Sequence, residues 1–173
     1  MKKFVALVYI SILTSSIVLS SCKTKHEEKH GKHGKHENHS EQKFDQTELA
    51  NVKSAITDYV EGLYLADSTR IEKSVDTTMR KIGYWYDGKK NIYIDNLPMT
   101  YDQLVRLSAR WNKDGKRVNS DSPKKIDIFD VNSKTASAKL TAEWGVDYFH
   151  LSKVNNQWKI MNVIWQSMPE TAE

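Results

Sequence analysis

The chain has 173 residues, 39% of them hydrophobic, and a single cysteine, which excludes an internal disulfide framework, a Cys-x-x-Cys redox or zinc pair, and a thiol nucleophile in the folded part. Its formal net charge of +4 arises from 26 basic and 22 acidic residues; without Lys2 and Lys3 the basic count becomes 24 and the net charge +2. Charges of both signs are scattered along the chain, so there is no nucleic-acid footprint and the lysines read as a solvated surface.

The first segment, MKKFVALVYISILTSSIVLSSC, places Lys2 and Lys3 ahead of an uncharged stretch from Phe4 to Ser21. This is the layout of a secretory signal peptide, and residues 1–21 are set apart from the fold on that ground. A membrane-spanning anchor is the rival, because the uncharged run approaches the ~18–20 residues that cross a bilayer. Leu19-Ser20-Ser21-Cys22 decides against it: an aliphatic residue, two small residues and a cysteine resemble a bacterial lipobox. In such a box the thiol receives a diacylglycerol and the cysteine becomes the first residue after cleavage. Cys22 is therefore the expected lipidation site. The protein is expected in the bacterial cell envelope, anchored to a membrane by lipid and facing the periplasm or the exterior.

Residues 22–43 continue from Cys22 into KTKHEEKHGKHGKHENHSEQK, which lacks Ile, Leu, Val, Phe, Tyr and Trp. Such a segment buries no apolar area to offset the entropy of ordering, so a disordered tether is predicted. Its root-mean-square reach would be about 25 Å. His26, His30, His33, His36 and His39 offer imidazoles of the kind that bind zinc, nickel or copper. The ligands are not pre-positioned, however. Each residue fixed on binding costs about 1–2 kcal/mol of backbone entropy, and Gly31 and Gly34 add to that. The expectation is a spacer with weak metal affinity and no resident cofactor.

Residues 44–173 form the predicted folded domain. Leu49, Val52, Ile56, Val60 and Leu63 recur at spacings of three and four, the face of an amphipathic helix, with Asp45 and Glu48 as a capping box. A short second helix follows Asp67 through STRIEKSV, with Asp67 as its cap. In MRKIGYWYDGKKNIYID, Asp87-Gly88 marks a hairpin turn. LPMTYDQLVRLSARWN is helical, opened by Thr100 and Gln103 as a second capping box.

The pattern then changes to period two. KKIDIFDV is a strand, and TASAKLTAEW alternates with Ala136, Ala138, Leu140, Ala142 and Trp144 on one side. VDYFHLSKV and QWKIMNVIWQ are joined by Asn155-Asn156, a tight hairpin turn. The predicted order is helix, helix, hairpin, helix and a four-strand antiparallel meander, a single α+β domain. In the last strand Trp158, Ile160 and Ile164 alternate with Met161, Val163 and Trp165, so both faces read as apolar, unlike a sheet with one face in water. A cover on the second face is expected, and a homodimer packed through the sheet is the preferred one.

Tyr59, Gly62 and Asp67 in YVEGLYLADSTRIEKSVD, followed downstream by VDYFHLSKV and WKIMNVIW, resemble the family described as "putative lumazine-binding". That family belongs to the SnoaL-like, nuclear transport factor 2-like superfamily, and the resemblance runs from about Asn51 to Ser167. It implies a cone-shaped domain: a curved antiparallel sheet wrapped by about three helices, a pocket at the wide end, and dimerisation through the sheet. It implies no one chemistry, because the superfamily includes isomerases, dehydratases, cyclases and non-catalytic binders. Where many relatives carry a histidine after the second helix this chain has Val75-Asp76-Thr77, so a histidine-based site is not expected there.

An isomerase-type reaction needs a carboxylate base in an apolar pocket and a neutral donor facing the substrate oxygen. Asp147 and His150 are the candidates, but three residues apart on a strand they emerge on opposite faces. Tyr148 shares a face with His150, whereas Asp147 shares one with Phe149 and Leu151, which read as core. Asp147 is thus either a base at the pocket mouth or a buried acceptor. Tyr59, Tyr64, Trp85, Trp144 and Trp165, with Tyr148 and His150, are the candidate ligand contacts, since aromatic rings combine area with a polar tip; the plainer reading of each is core. The preferred reading is a non-catalytic lipoprotein whose cone binds a small molecule or a partner. The alternatives are an isomerase- or dehydratase-like enzyme using Asp147 or His150, and divalent-metal binding through the tether.

Overall fold

Helix α1 (Gln46–Tyr64) buries Val52, Ile56, Tyr59, Val60 and Leu63, the face its apolar spacing defines, in a computed structural model that describes residues 45–168. The expected signal peptide, Cys22 and the five histidines of the expected tether lie outside the described residues. At the start of α1 the Asp45 carboxylate accepts from Thr47 N at 2.8 Å. The second half of the expected capping box does not form. Glu48 turns away to accept from Lys153 Nζ at 2.5 Å and Trp158 Nε1 at 2.7 Å. A cationic donor and an indole together outcompete one backbone N–H, and they tie the helix to the far end of the sheet.

Helix α2 (Ser68–Ser74) starts where predicted, with Asp67 accepting from Thr69 N and Thr69 Oγ1 at 3.0 and 2.6 Å. A Cβ on Gly62 would stand 2.9 Å from Ile71 Cγ1, so the glycine lets α2 pack closely on α1. Strand β1 (Val75–Asp87) begins directly after α2 and pairs with β2 (Ile92–Met99). Helix α3 (Tyr101–Trp111) carries the capping box at Thr100 and Gln103 in full. The meander follows as β3 (Lys125–Val131), β4 (Thr135–Ala142), β5 (Gly145–Val154) and β6 (Gln157–Gln166). Asn155 and Asn156 both take positive φ, 49° and 63°, as a two-residue primed turn requires.

The six strands form one curved sheet in the order β2-β1-β6-β5-β4-β3. It is mixed rather than antiparallel: β1 runs parallel to β6, and every other neighbour is antiparallel. That pairing joins the hairpin to the last strand of the meander, β1 ending at Asp87 and β6 beginning at Gln157, a long-range contact that local patterning does not encode. Helix α1 lies over the concave face, where Leu140, Phe149, Leu151, Ile160 and Val163 complete the core.

The last strand corrects a further expectation. His150 pairs with Asn162 while Leu151 pairs with Ile160, so Met161 is an extra residue, a β-bulge. A bulge shifts the alternation by one residue. Trp158 and Ile160 before it and Val163 after it are therefore all buried, and Trp165 packs against the same core, while Ile164 lies on the outer face. Two apparently apolar faces are one interior face read through a change of phase. Trp144 also differs from its expected place, lying in the turn after β4 rather than on the strand.

Candidate functional site

On β1 the inward positions are Met79, Lys81 and Gly83, the last two in register with Val163 and Trp165 of β6. Asp147 of β5 pairs with Trp165 from the other side. Lys81 and Asp147 thus stand on two strands separated by β6, and their side chains meet across it with Nζ 3.0 Å from Oδ1. Their side chains are 6% and 0% exposed. The same ammonium donates to the Tyr59 hydroxyl, and Trp144 Nε1 donates to Asp147 Oδ2 at 2.6 Å. Burying two charges costs several kcal/mol each, so the completeness of this network matters to its stability. Burial pushes the Tyr59 phenol well above its ordinary range, and the Asp147 charge adds to the effect.

Around this pair the aromatic residues interlock. Tyr59 meets Trp144 and Phe149 edge-on at 6.3 and 5.1 Å between centroids. Tyr64 stacks on Trp111 at 5.9 Å, and Trp144 stands edge-on to both. The Tyr64 hydroxyl donates to Pro123 O at 2.7 Å and accepts from Glu143 N at 2.8 Å, fastening the loop after α3 to the β4–β5 turn. Gly83 provides a seat for Trp165: a Cβ there would lie 2.0 Å from the indole Nε1.

Between α3 and the sheet is a small apolar cavity of about 80 Å³, bounded by Leu104, Leu107, Trp111, Trp144 and Trp165, with Lys81 as its one charged wall. Trp111, Trp144 and Trp165 also line a second, open hollow of about 380 Å³, together with Trp85, Arg117 and Glu143. The Arg117 guanidinium lies 5.6 Å from the centre of the Trp111 ring. A wider depression of about 720 Å³, lined by the β1–β2 and β4–β5 turns, continues outward from Trp85 and Trp144.

The candidate residues therefore divide. Tyr59, Trp144 and Asp147 converge on the buried pair, Tyr64 braces the aromatic cluster, and Trp85 and Trp165 line the hollow. Tyr148 and His150 lie on the outer face, where Tyr148 is 50% exposed and stacks on Phe129 at 6.4 Å. Asp147 and His150 do not share a cavity. Sequence reasoning passed over Lys81, Trp111 and Arg117. The signal for Lys81 was present in MRKIGYW, where it falls in phase with inward Met79 and Gly83. Among the described residues no cluster of three or more His, Cys, Asp or Glu side chains is arranged to hold a metal ion.

The fold is that of the nuclear transport factor 2-like class, a curved sheet and three helices forming a cone. A nuclear transport factor 2-like protein of unknown function from Shewanella baltica is 22% identical, with a TM-score of 0.50 over 72% of this chain and 97% of that one. One from Silicibacter pomeroyi is 13% identical, with a TM-score of 0.50 over 69% and 94%. A third, from Novosphingobium aromaticivorans and described as having a cystatin-like fold, is 8% identical, with a TM-score of 0.52 over 73% and 86%. Curated proteins include no match to the chain. Within the fold class, the chain belongs to the family described as "Putative lumazine-binding", whose model matches residues 47–166.

Proposed function

We propose that the domain binds a small, flat molecule in the tryptophan-lined hollow and does so without catalysis. The observation that carries this reading is the placement of Trp85, Trp111, Trp144 and Trp165, four of the five tryptophans in the chain, around one opening. At about 380 Å³ the hollow falls within the range of small-molecule sites, about 300–1,000 Å³, and Arg117 and Glu143 supply the few polar groups such sites use for orientation. Catalysis through Asp147 is disfavoured because both carboxylate oxygens are engaged, by Lys81 and by Trp144, and the group is fully buried. The family description makes lumazine, a flat bicyclic dione, the first compound to try.

The test is a titration of the full chain in detergent micelles with lumazine, following tryptophan fluorescence. Saturable quenching that is lost in Trp144→Ala and Trp111→Ala is expected. Quenching that is linear in ligand, or equal in the variants, overturns the reading.

The setting of the site is part of the proposal. Lipid on Cys22 holds the domain at a membrane of the cell envelope, residues 23–43 act as spacer, and a second copy covers the outer sheet face bearing Ile82, Tyr148 and Ile164. Incorporation of a fatty-acid label that Cys22→Ala abolishes, and a dimer mass by light scattering, are the corresponding measurements. Metal titration with and without residues 23–43 determines whether the histidines do more than separate.

A further inference from the structure

The inner cavity has a chemical preference of its own. Its one charged wall is Lys81, whose ammonium makes two hydrogen bonds among the described residues, to Tyr59 and Asp147; the buried Nε1 of Trp165, another lining residue, has no hydrogen-bond partner among them. An ammonium carries three donors, so one N–H is left for an occupant. The ammonium also lies 5.5 Å from the centre of the Trp165 ring, one of the three tryptophans shared by the cavity and the open hollow. A molecule seated in the hollow therefore has a cationic donor behind its aromatic floor.

The charge balance selects among acceptors. Lys81 and Asp147 form a neutral pair in a nearly dry interior. An incoming carboxylate would leave a net negative charge there, which is costly to desolvate. A neutral carbonyl oxygen accepts the free N–H and adds no charge. Volume selects too: at about 80 Å³ the cavity is well below the roughly 150 Å³ of a cavity that holds benzene, so it takes the edge of a ring and not its whole body.

We propose that Lys81, held by Tyr59 and Asp147, is the polar anchor of the site and takes the carbonyl oxygen of a neutral, flat, ring-shaped ligand whose body lies among Trp111, Trp144 and Trp165. The inference rests on the hollow being the binding site and deepens that reading by naming the ligand class: cyclic amides, imides and related ring carbonyls, in preference to acids or plain aromatics.

Three probes of similar size separate the possibilities: oxindole, with a neutral ring carbonyl; indole, without one; and indole-2-carboxylate, with a charge. Each is titrated into the ¹⁵N-labelled full chain in detergent micelles, following the five tryptophan side-chain N–H signals. Oxindole is expected to bind about tenfold more tightly than either of the others, the scale of one hydrogen bond from a charged donor. In Lys81→Met/Asp147→Asn, which removes the ammonium without leaving an unpaired buried charge, its advantage over indole is expected to fall below about twofold. In the native chain, nuclear Overhauser contacts from oxindole to the Lys81 Hε protons are expected; this measurement stands whether or not the double variant folds.

Equal affinity for the three probes, an oxindole preference that survives the double variant, or contacts to Trp165 without contacts to Lys81 would overturn the anchor and leave the tryptophan hollow intact as a binding site. No movement of any tryptophan signal with any probe would overturn both readings together.

Discussion

Lys81 Nζ and Asp147 Oδ1 meet at 3.0 Å across strand β6, although their own strands, β1 and β5, are not neighbours in the sheet. The ion pair thus clamps the parallel junction of hairpin and meander from the concave side. Lys81→Met alone leaves a buried carboxylate without its cation and is expected to cost about 3–5 kcal/mol. Lys81→Met/Asp147→Leu removes both charges and is expected to be more stable than either single variant. Chemical denaturation of the four proteins at pH 7 measures the difference.

Tyr59 ties the same pair to α1. Its phenol is raised above the ordinary value of 10.0, burial being the main cause, so the folded state holds this proton more tightly than the unfolded state does. A raised folded value means that its contribution is fully present below about pH 10 and is lost as pH rises towards the folded value. Stability is expected to decline above about pH 10 with a slope of up to roughly 1.4 kcal/mol per pH unit from this group, and Tyr59→Phe should lack that part of the decline. Tyrosinate absorbance during an alkaline titration should show Tyr59 ionising only as the protein unfolds.

At the opposite end, Glu48 is lowered from its ordinary 4.5 mainly by the hydrogen bond from Lys153, then by that from Trp158. A depressed carboxylate contributes above its unfolded value, and that contribution is lost as pH falls through the folded value. Glu48→Gln is expected to lower the thermal midpoint at pH 7, and the gap from the parent chain should narrow steadily below about pH 4.5. Thermal melts at several pH values test it; a gap that is constant with pH would show that the carboxylate charge is not the source.

Gly83 bears on the site through space rather than charge. A methyl group there would lie 2.0 to 2.5 Å from three atoms of the Trp165 indole, so the ring must leave its seat. Gly83→Ala is expected to destabilise by about 1–3 kcal/mol, the scale of overpacking, and to shift tryptophan emission as Trp165 moves. Unchanged emission with unchanged stability would mean that the ring relaxes without cost.

What was legible in the sequence was local. Apolar spacing located α1, Thr100 and Gln103 opened α3, and Asn155-Asn156 turned β5 into β6, because each signal lies within a few residues of the structure it specifies. The candidate site is less legible for the same reason. Tyr59, Trp144 and Asp147 stand out in the sequence, but Lys81 reads as one more surface lysine, since its partners lie 22 and 66 residues away. Likewise Glu48 fitted a local capping box until donors more than 100 residues distant claimed its carboxylate.

The sequence by itself determined the order of helices and strands, the capped starts of α2 and α3 and the family, since propensity, period and capping act over a few residues at a time. Only the tertiary structure decided that β1 runs parallel to β6, that Met161 is a bulge which turns Val163 and Trp165 inward, and that Lys81, paired with Asp147, walls a cavity floored by tryptophan. Pairing and burial are set by whichever distant segments best satisfy each other's apolar faces and polar groups. That competition is settled when the whole chain folds, and no short window of sequence contains it.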